Sequence, residues 1–299
     1  MQLRTAAPLS RFRPTRWSPW SYVFLAPFLI LFAIFLLYPI IDTLILSLQK
    51  KNGLGIAGVF VALDNYLALL RDPRFFAAAR NTILLAAASL FVLLPCAFAL
   101  ALALNSKRVF ARGGLRLLFF MPAATSAVVA AMIFLVLYEE QVGVINTTLN
   151  FRVPWLTSST LILPSIFLVI FWKWTGYNSL YFLAGLQTIE PELVEAAQVD
   201  GATFRQVVRH IYLPLMKPIL LVVVILAIIG SAQLFAEPWL ITKGTGGPGQ
   251  GGLTLAMLIY DVAFRQLRFG YGAAIAYMLV IGVIAASLVA YAVFRSPRQ

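Results

Sequence analysis

Six runs of about 20 apolar residues constrain this chain more than any other feature, because each is long enough, at about 1.5 Å per helical residue, to cross a bilayer. They cover 21–41, 83–104, 115–138, 161–182, 218–235 (with room to reach 240) and 273–293. Of the 299 residues, 61% are apolar and 11% charged, where a soluble domain carries roughly 45–50% and about 25%. A soluble globular fold is excluded. The expected fold is an all-α integral membrane domain of six transmembrane helices over 21–295, after a basic tail at 1–20 and before a short end at 296–299.

The chain has 23 basic and 11 acidic side chains, a net charge of +12. In a soluble protein that balance would point to nucleic acid. Here the bases flank the apolar runs, so they read as topology signals and anionic-lipid contacts, with no nucleic-acid partner. Arg4, Arg11, Arg13, Arg16, Lys107, Arg108, Arg112, Arg116, Arg205, Arg209, Lys217, Arg295 and Arg298 fall on one side of a six-span topology. That side holds more bases in fewer residues, which places both termini in the cytoplasm. The first run has no small-residue cleavage site behind it and is expected to stay in the mature protein.

Pro27, Pro39, Pro95, Pro122 and Pro164 fall in or near the runs and predict kinks. Outside them, 64–79 reads as a short interfacial helix with Tyr66, Leu67 and Leu70 on one stripe and Phe75 and Phe76 at its end. Tyr138 and Trp155 read as interfacial anchors. The glycine-rich stretch 243–252 lacks the Gly-Lys-Ser/Thr ending of a phosphate loop and reads as a flexible extracytoplasmic loop. Asn146-Thr-Thr148 matches the glycosylation triplet, a pattern common by chance.

The longest cytoplasmic loop, 186–216, is built to fold. Pro191 suits the first position of a helix, Glu192 and Glu195 sit near its positive end, and Leu193, Ala196 and Ala197 recur at helical spacing. Asp200-Gly201 breaks that helix. Phe204, Val207, Val208, Ile211 and Tyr212 then mark the apolar face of a second helix, with Arg205, Gln206, Arg209 and His210 on its other faces. The element is a connector or a docking knob. Small Ala196, Ala197, Gly201 and Ala202 around the corner favour docking, because they let a partner's backbone come close.

The run Glu195-Ala-Ala-Gln-Val-Asp-Gly-Ala202, with Leu213-Pro214 following, resembles the cytoplasmic loop motif of permease subunits from binding-protein-dependent ABC importers. Tyr181-Phe-Leu-Ala-Gly-Leu-Gln-Thr-Ile-Glu-Pro-Glu-Leu193 upstream, and Leu240-Ile-Thr242, Gly246-Gly-Pro248 and Phe269-Gly-Tyr-Gly-Ala-Ala274 downstream, are similar to its sugar-importing, maltose-type branch. The resemblance covers most of the chain from Tyr22 on. It implies a second permease subunit, two cytoplasmic ATPases and an extracytoplasmic solute-binding protein as partners. It also implies that Glu195, Ala196, Ala197, Asp200, Gly201 and Ala202 form the coupling contact with an ATPase. The chain lacks a Walker-type loop, so it is expected to be no enzyme and to hold no cofactor, with ATP and Mg on the partner ATPases. The end at 292–299 lacks the glycine-containing tail of the second permease in such pairs, which implies the first subunit of a heterodimer. A glycerol-phosphate importer is the alternative within the class, and an ion-coupled secondary carrier the alternative outside it. The sparse acids within the runs argue against the carrier.

Ionisable groups inside spans cost about 2.5–3.5 kcal/mol on insertion scales. Asp42, Lys173 and Glu237 are such groups, with Lys173 able to pair with either acid, and they read as structural ion pairs or as cavity lining. Sugar recognition needs hydroxyl-directed hydrogen bonds and an aromatic face. Trp172, Trp174, Tyr177, Asn178, Ser231 and Gln233 supply these groups, so Trp174, Tyr177, Asn178, Ser231, Gln233 and Glu237 form the candidate solute pathway, interfacial anchoring and interhelical hydrogen bonding being the other reading. His210, the single histidine, has no second ligand, so no metal site is expected. Cys96 reads as a small core side chain.

Overall fold

The computed structural model describes residues 19–55, 57–106 and 109–295. Most of the basic tail, Lys107, Arg108 and the end at 296–299 lie outside the described residues. The chain divides into two units, Met1–Ile45 and Leu46–Gln299. The first holds most of helix α1 (Tyr22–Ser47), which carries Asp42 on its exposed surface.

In the second unit, β1 (Gln49–Lys50) and β2 (Val59–Phe60) pair antiparallel, with Gln49 opposite Phe60. Helix α2 (Asp64–Leu69) is short, and α3 (Pro73–Asn105) begins about ten residues before the expected second span. Asp72 caps α3 by accepting from the Arg74 amide at 2.8 Å, and Pro73 takes the first helical position. Both are start signals that a hydropathy reading passes over. Phe75 and Phe76 therefore belong to the long helix rather than to an interfacial one.

The expected third span is broken. Helices α4 (Arg112–Ala124) and α5 (Ala127–Leu137) meet at 95°, with Pro122 one turn before the break and the Ser126 hydroxyl capping α5 through the Val129 amide. After the short α6 (Val144–Leu149), α7 (Ile162–Leu186) runs for 25 residues, but polar residues in its middle leave it less apolar than a span. The described residues therefore hold four helices long and apolar enough to cross a membrane, or five with the bent α4–α5 pair, against the six expected. Helices α10 (Lys217–Ala232) and α11 (Ala236–Ile241) make the fifth hydrophobic segment. Then come α12 (Leu255–Tyr260) and α13 (Phe269–Phe294). Between α7 and α10 lie α8 (Pro191–Val199) and α9 (Phe204–Val207).

Three prolines follow a widened helical turn. The amides of Tyr38, Leu94 and Leu213 each donate to a carbonyl five residues back, on Ala33, Ser89 and Val208, and a proline follows each at Pro39, Pro95 and Pro214. A proline ring clashes with the carbonyl four residues before it, and one inserted residue relieves the clash without ending the helix.

The main core lies between α3, α5, α7 and α10, where Ala97, Ala101, Ala130, Ile166, Val169, Phe182 and Val223 are buried. Small residues allow close helix approach. At Gly176 a β-carbon would run into the Phe119 carbonyl of α4. Cys96 is exposed rather than buried, since Ala97 and Ala101 take the inward face of α3. Tyr138 and Trp155 do not anchor at a surface either. Tyr138 is buried, donates to the Ser165 carbonyl at 2.8 Å and stacks on Trp155. Asn146 is buried and accepts from Trp155 Nε1 at 2.9 Å, so the glycosylation triplet is a structural clamp. The glycine-rich stretch is packed, not loose. Gly246, Gly251 and Gly252 are buried, and Asn81 Nδ2 donates to the carbonyls of Gln250 and Leu253 at 2.8 and 3.0 Å.

Candidate functional site: a polar cavity and an exposed helical corner

A cavity of about 510 Å³ lies between α3, α7, α10 and α11. One face of α7 supplies Ile170, Trp174, Tyr177, Asn178 and Tyr181, at i, i+4, i+7, i+8 and i+11. This stripe is why the middle of α7 is less apolar than the other spans. Trp174 and Tyr177 meet edge to face at 5.5 Å, as do Tyr177 and Tyr181 at 5.3 Å, and the two tyrosine hydroxyls are hydrogen-bonded at 2.8 Å. Asn178 Nδ2 donates to the Trp174 carbonyl at 2.9 Å, which fixes its amide against the helix.

The opposite wall is a broken helix. α10 ends at Ala232 and α11 starts at Ala236, leaving Gln233, Leu234 and Phe235 between them. Irregular backbone at membrane depth is tolerated where it lines a cavity and its polar groups find partners. Here the Thr254 hydroxyl donates to the Leu234 carbonyl at 2.7 Å. Ser231 on α10 donates to Ser89 at 3.3 Å, and Ser89 opens the widened turn of α3. Gln233 is exposed on the cavity wall.

Glu237, on α11, also lines the cavity. Lys173 Nζ donates to its Oε1 at 2.8 Å, and the two side chains are only 7% and 8% exposed. The ammonium lies 5.3 Å from the centre of the Trp174 ring as well. Lys173 thus pairs with Glu237. All six pathway residues expected from the sequence border this one cavity. Trp172 does not; it faces the other way and meets Phe134 edge to face at 5.5 Å.

At the other candidate site, α8 ends in a Schellman turn. The Gly201 amide donates to Gln198 at 3.0 Å and the Ala202 amide to Ala197 at 2.9 Å. Gly201 holds φ at +82°, a left-handed conformation that glycine adopts without a Cβ penalty, and open space surrounds it. A capping box follows at once. Thr203 Oγ1 accepts from the Gln206 amide at 3.4 Å, and Gln206 Oε1 accepts from the Thr203 amide at 2.7 Å. Two interlocked caps thus fix the direction change between α8 and α9.

No residue of α8 is buried. Glu195, Ala196, Asp200 and Gly201 are exposed, Ala197 and Ala202 half-buried, and Leu193, Val199 and Phe204 present apolar surface. Val207 alone of the expected apolar stripe is fully buried. Burial pushes the Tyr212 hydroxyl above its ordinary range. His210 is exposed, and its Nδ1 donates to the Gln206 carbonyl at 3.0 Å.

Residues 94–298 match the family described as the inner membrane component of binding-protein-dependent transport systems. The chain belongs to that family. The permease is 37% identical to the arabinooligosaccharides transport system permease protein AraP of Bacillus subtilis (strain 168), over 90% of its own length and 86% of that protein's. It is 34% identical to the lactose transport system permease protein LacF of Rhizobium radiobacter, over 91% and 92% of the two chains. Among solved structures it superposes with a TM-score of 0.76, at 25% identity and over 92% and 94% of the chains, on a chain of a bacterial alginate ABC transporter solved in complex with alginate pentasaccharide-bound periplasmic protein. The permease is accordingly a multi-pass membrane subunit of an ABC importer and not an enzyme.

Sequence reasoning on the permease missed Ser89, Tyr181 and Gly230 of the cavity. Tyr181 was within reach, one turn beyond Tyr177. Ser89 carried a weaker signal, a lone hydroxyl six residues ahead of Pro95. The capping box was written in Thr203-x-x-Gln206.

Proposed function

We propose that this permease passes a sugar or sugar-like solute into the cytoplasm through the cavity between α7 and α10–α11, driven by ATP hydrolysis on two partner ATPases. The observation that carries this reading is that one cavity is lined by aromatic residues, by Asn178 and Gln233, by serine and tyrosine residues and by Glu237. Such a mixture suits a polyhydroxylated ring, with apolar contact for its face and directional partners for its edge. The relatives' sugar-transport names support the same class.

The chain pairs with a second, different permease subunit and takes its solute from an extracytoplasmic binding protein. Both termini are cytoplasmic in a six-span arrangement, with the broken α4–α5 pair and α7 completing the count, and bases contact anionic headgroups. The corner from Glu195 to Ala202 docks in an ATPase cleft, and its two caps make it stiff enough to carry rigid-body motion into the spans. ATP and Mg reside on the ATPases.

The test is uptake of a radiolabelled neutral oligosaccharide into proteoliposomes holding the permease with its partners. Uptake is expected to require both ATP and the binding protein. Uptake driven by a proton or sodium gradient without ATP would contradict the proposal.

A further inference from the structure

The cavity wall carries one charged group among its described residues, Glu237, and that group is presented asymmetrically. Its Oε1 accepts from Lys173, whereas among the described residues no donor reaches Oε2. Lys173 itself does not border the cavity. Its ammonium stands behind the carboxylate, held by Oε1 and by the Trp174 ring. The pair is neutral as a whole, but only its acidic member borders the cavity among the described residues.

An ionised carboxylate oxygen only accepts hydrogen bonds. Its partner in the cavity must therefore be a donor, and a solute carboxylate or phosphate placed there would face a like charge in a poorly screened site. The neutral groups around it, Asn178, Ser231 and Gln233, suit hydroxyls, and the Trp174–Tyr177 corner offers aromatic surface to a ring.

We propose that the Lys173–Glu237 pair sets the charge class of the solute: Glu237 accepts from a hydroxyl of a neutral saccharide and turns away acidic saccharides and phosphate esters, while Lys173 is held back from binding an anion. This rests on the cavity being the solute site. Lys173 acts through Glu237 and is a positioning residue. Glu237 touches the solute.

The test uses the full transporter, purified with its partners into nanodiscs, and direct binding without the binding protein, which would otherwise impose its own selectivity. The probes are α-1,4-linked galactotriose and trigalacturonate, which share a skeleton and differ in their C6 groups. Wild type is expected to bind galactotriose tighter by roughly tenfold or more. Glu237→Gln leaves Lys173 uncompensated behind the wall, and the neutral-to-acidic ratio should fall about tenfold or invert. Lys173→Gln combined with Glu237→Gln removes both charges and should bring the ratio between those of wild type and the single variant.

Equal wild-type affinities, or a ratio that Glu237→Gln leaves unchanged, would overturn the proposal. Failure of wild type to bind either probe would overturn it together with the cavity's role. If that transporter still shows ATPase activity stimulated by a binding protein, the importer assignment stands apart from both failures.

Discussion

Lys173 and Glu237 are each costly at membrane depth, and their 2.8 Å pairing is what makes both tolerable. Removing one partner leaves the other buried and uncompensated. Lys173→Met is therefore expected to destabilise the purified protein by about 3–5 kcal/mol, read as a lower midpoint in detergent thermal unfolding. Lys173→Met with Glu237→Leu should regain most of that loss. A double variant as unstable as the single one would show that the pair is not the source. Gly201 poses a different problem, since nothing packs against it and its constraint is φ alone. A side chain there costs on the order of 1–2 kcal/mol in the left-handed region, with valine worse than alanine. Gly201→Val should speed amide exchange from Ala197 to Ala202 without lowering the amount of protein in the membrane.

Among the elements, α7 combines two demands, one face packing α3 and α4 and another lining the cavity. Gly176 serves the first, so Gly176→Leu should push α4 off α7 and sharply lower the yield of folded protein in detergent. The corner depends on side-chain caps as well as on glycine. Thr203→Ala should cost about 1 kcal/mol locally, seen as faster exchange of the Gln206 amide, while cavity binding stays unchanged. The apolar runs located the helices because lipid selects apolar side chains in bulk. They did not locate the start of α3 at Pro73, the 95° break after Ala124 or the interruption at Gln233–Phe235, because those depend on capping and proline geometry and on cavity-facing polar groups. Within the candidate site the residue types were legible at Trp174, Tyr177, Asn178, Ser231, Gln233 and Glu237. Their convergence was not, since it needs two helices and a break brought together. Trp172 illustrates the limit: it has the same chemistry as Trp174, two positions along the helix, and points elsewhere.

At the scale of the whole molecule, the proposed function has solute pass through the cavity between α3, α7, α10 and α11 and drive enter at the exposed corner between α8 and α9. Gln233→Ala tests the first assignment. It should weaken solute uptake while leaving ATPase assembly intact, because Gln233 lies on the cavity wall and makes no side-chain hydrogen bond to the described residues. An unchanged uptake curve would remove Gln233 from the pathway. The central claim is that the corner transmits ATPase motion to the cavity. Its most direct test is to purify the permease from its native membrane in mild detergent, identify what comes with it, and measure ATP hydrolysis and solute uptake for wild type and Gly201→Val. An ATPase and a second permease are expected to accompany wild type, and the variant is expected to lose them or to hydrolyse ATP without uptake. Normal, ATP-coupled uptake by Gly201→Val, or wild type that carries no ATPase under several mild conditions, would contradict it.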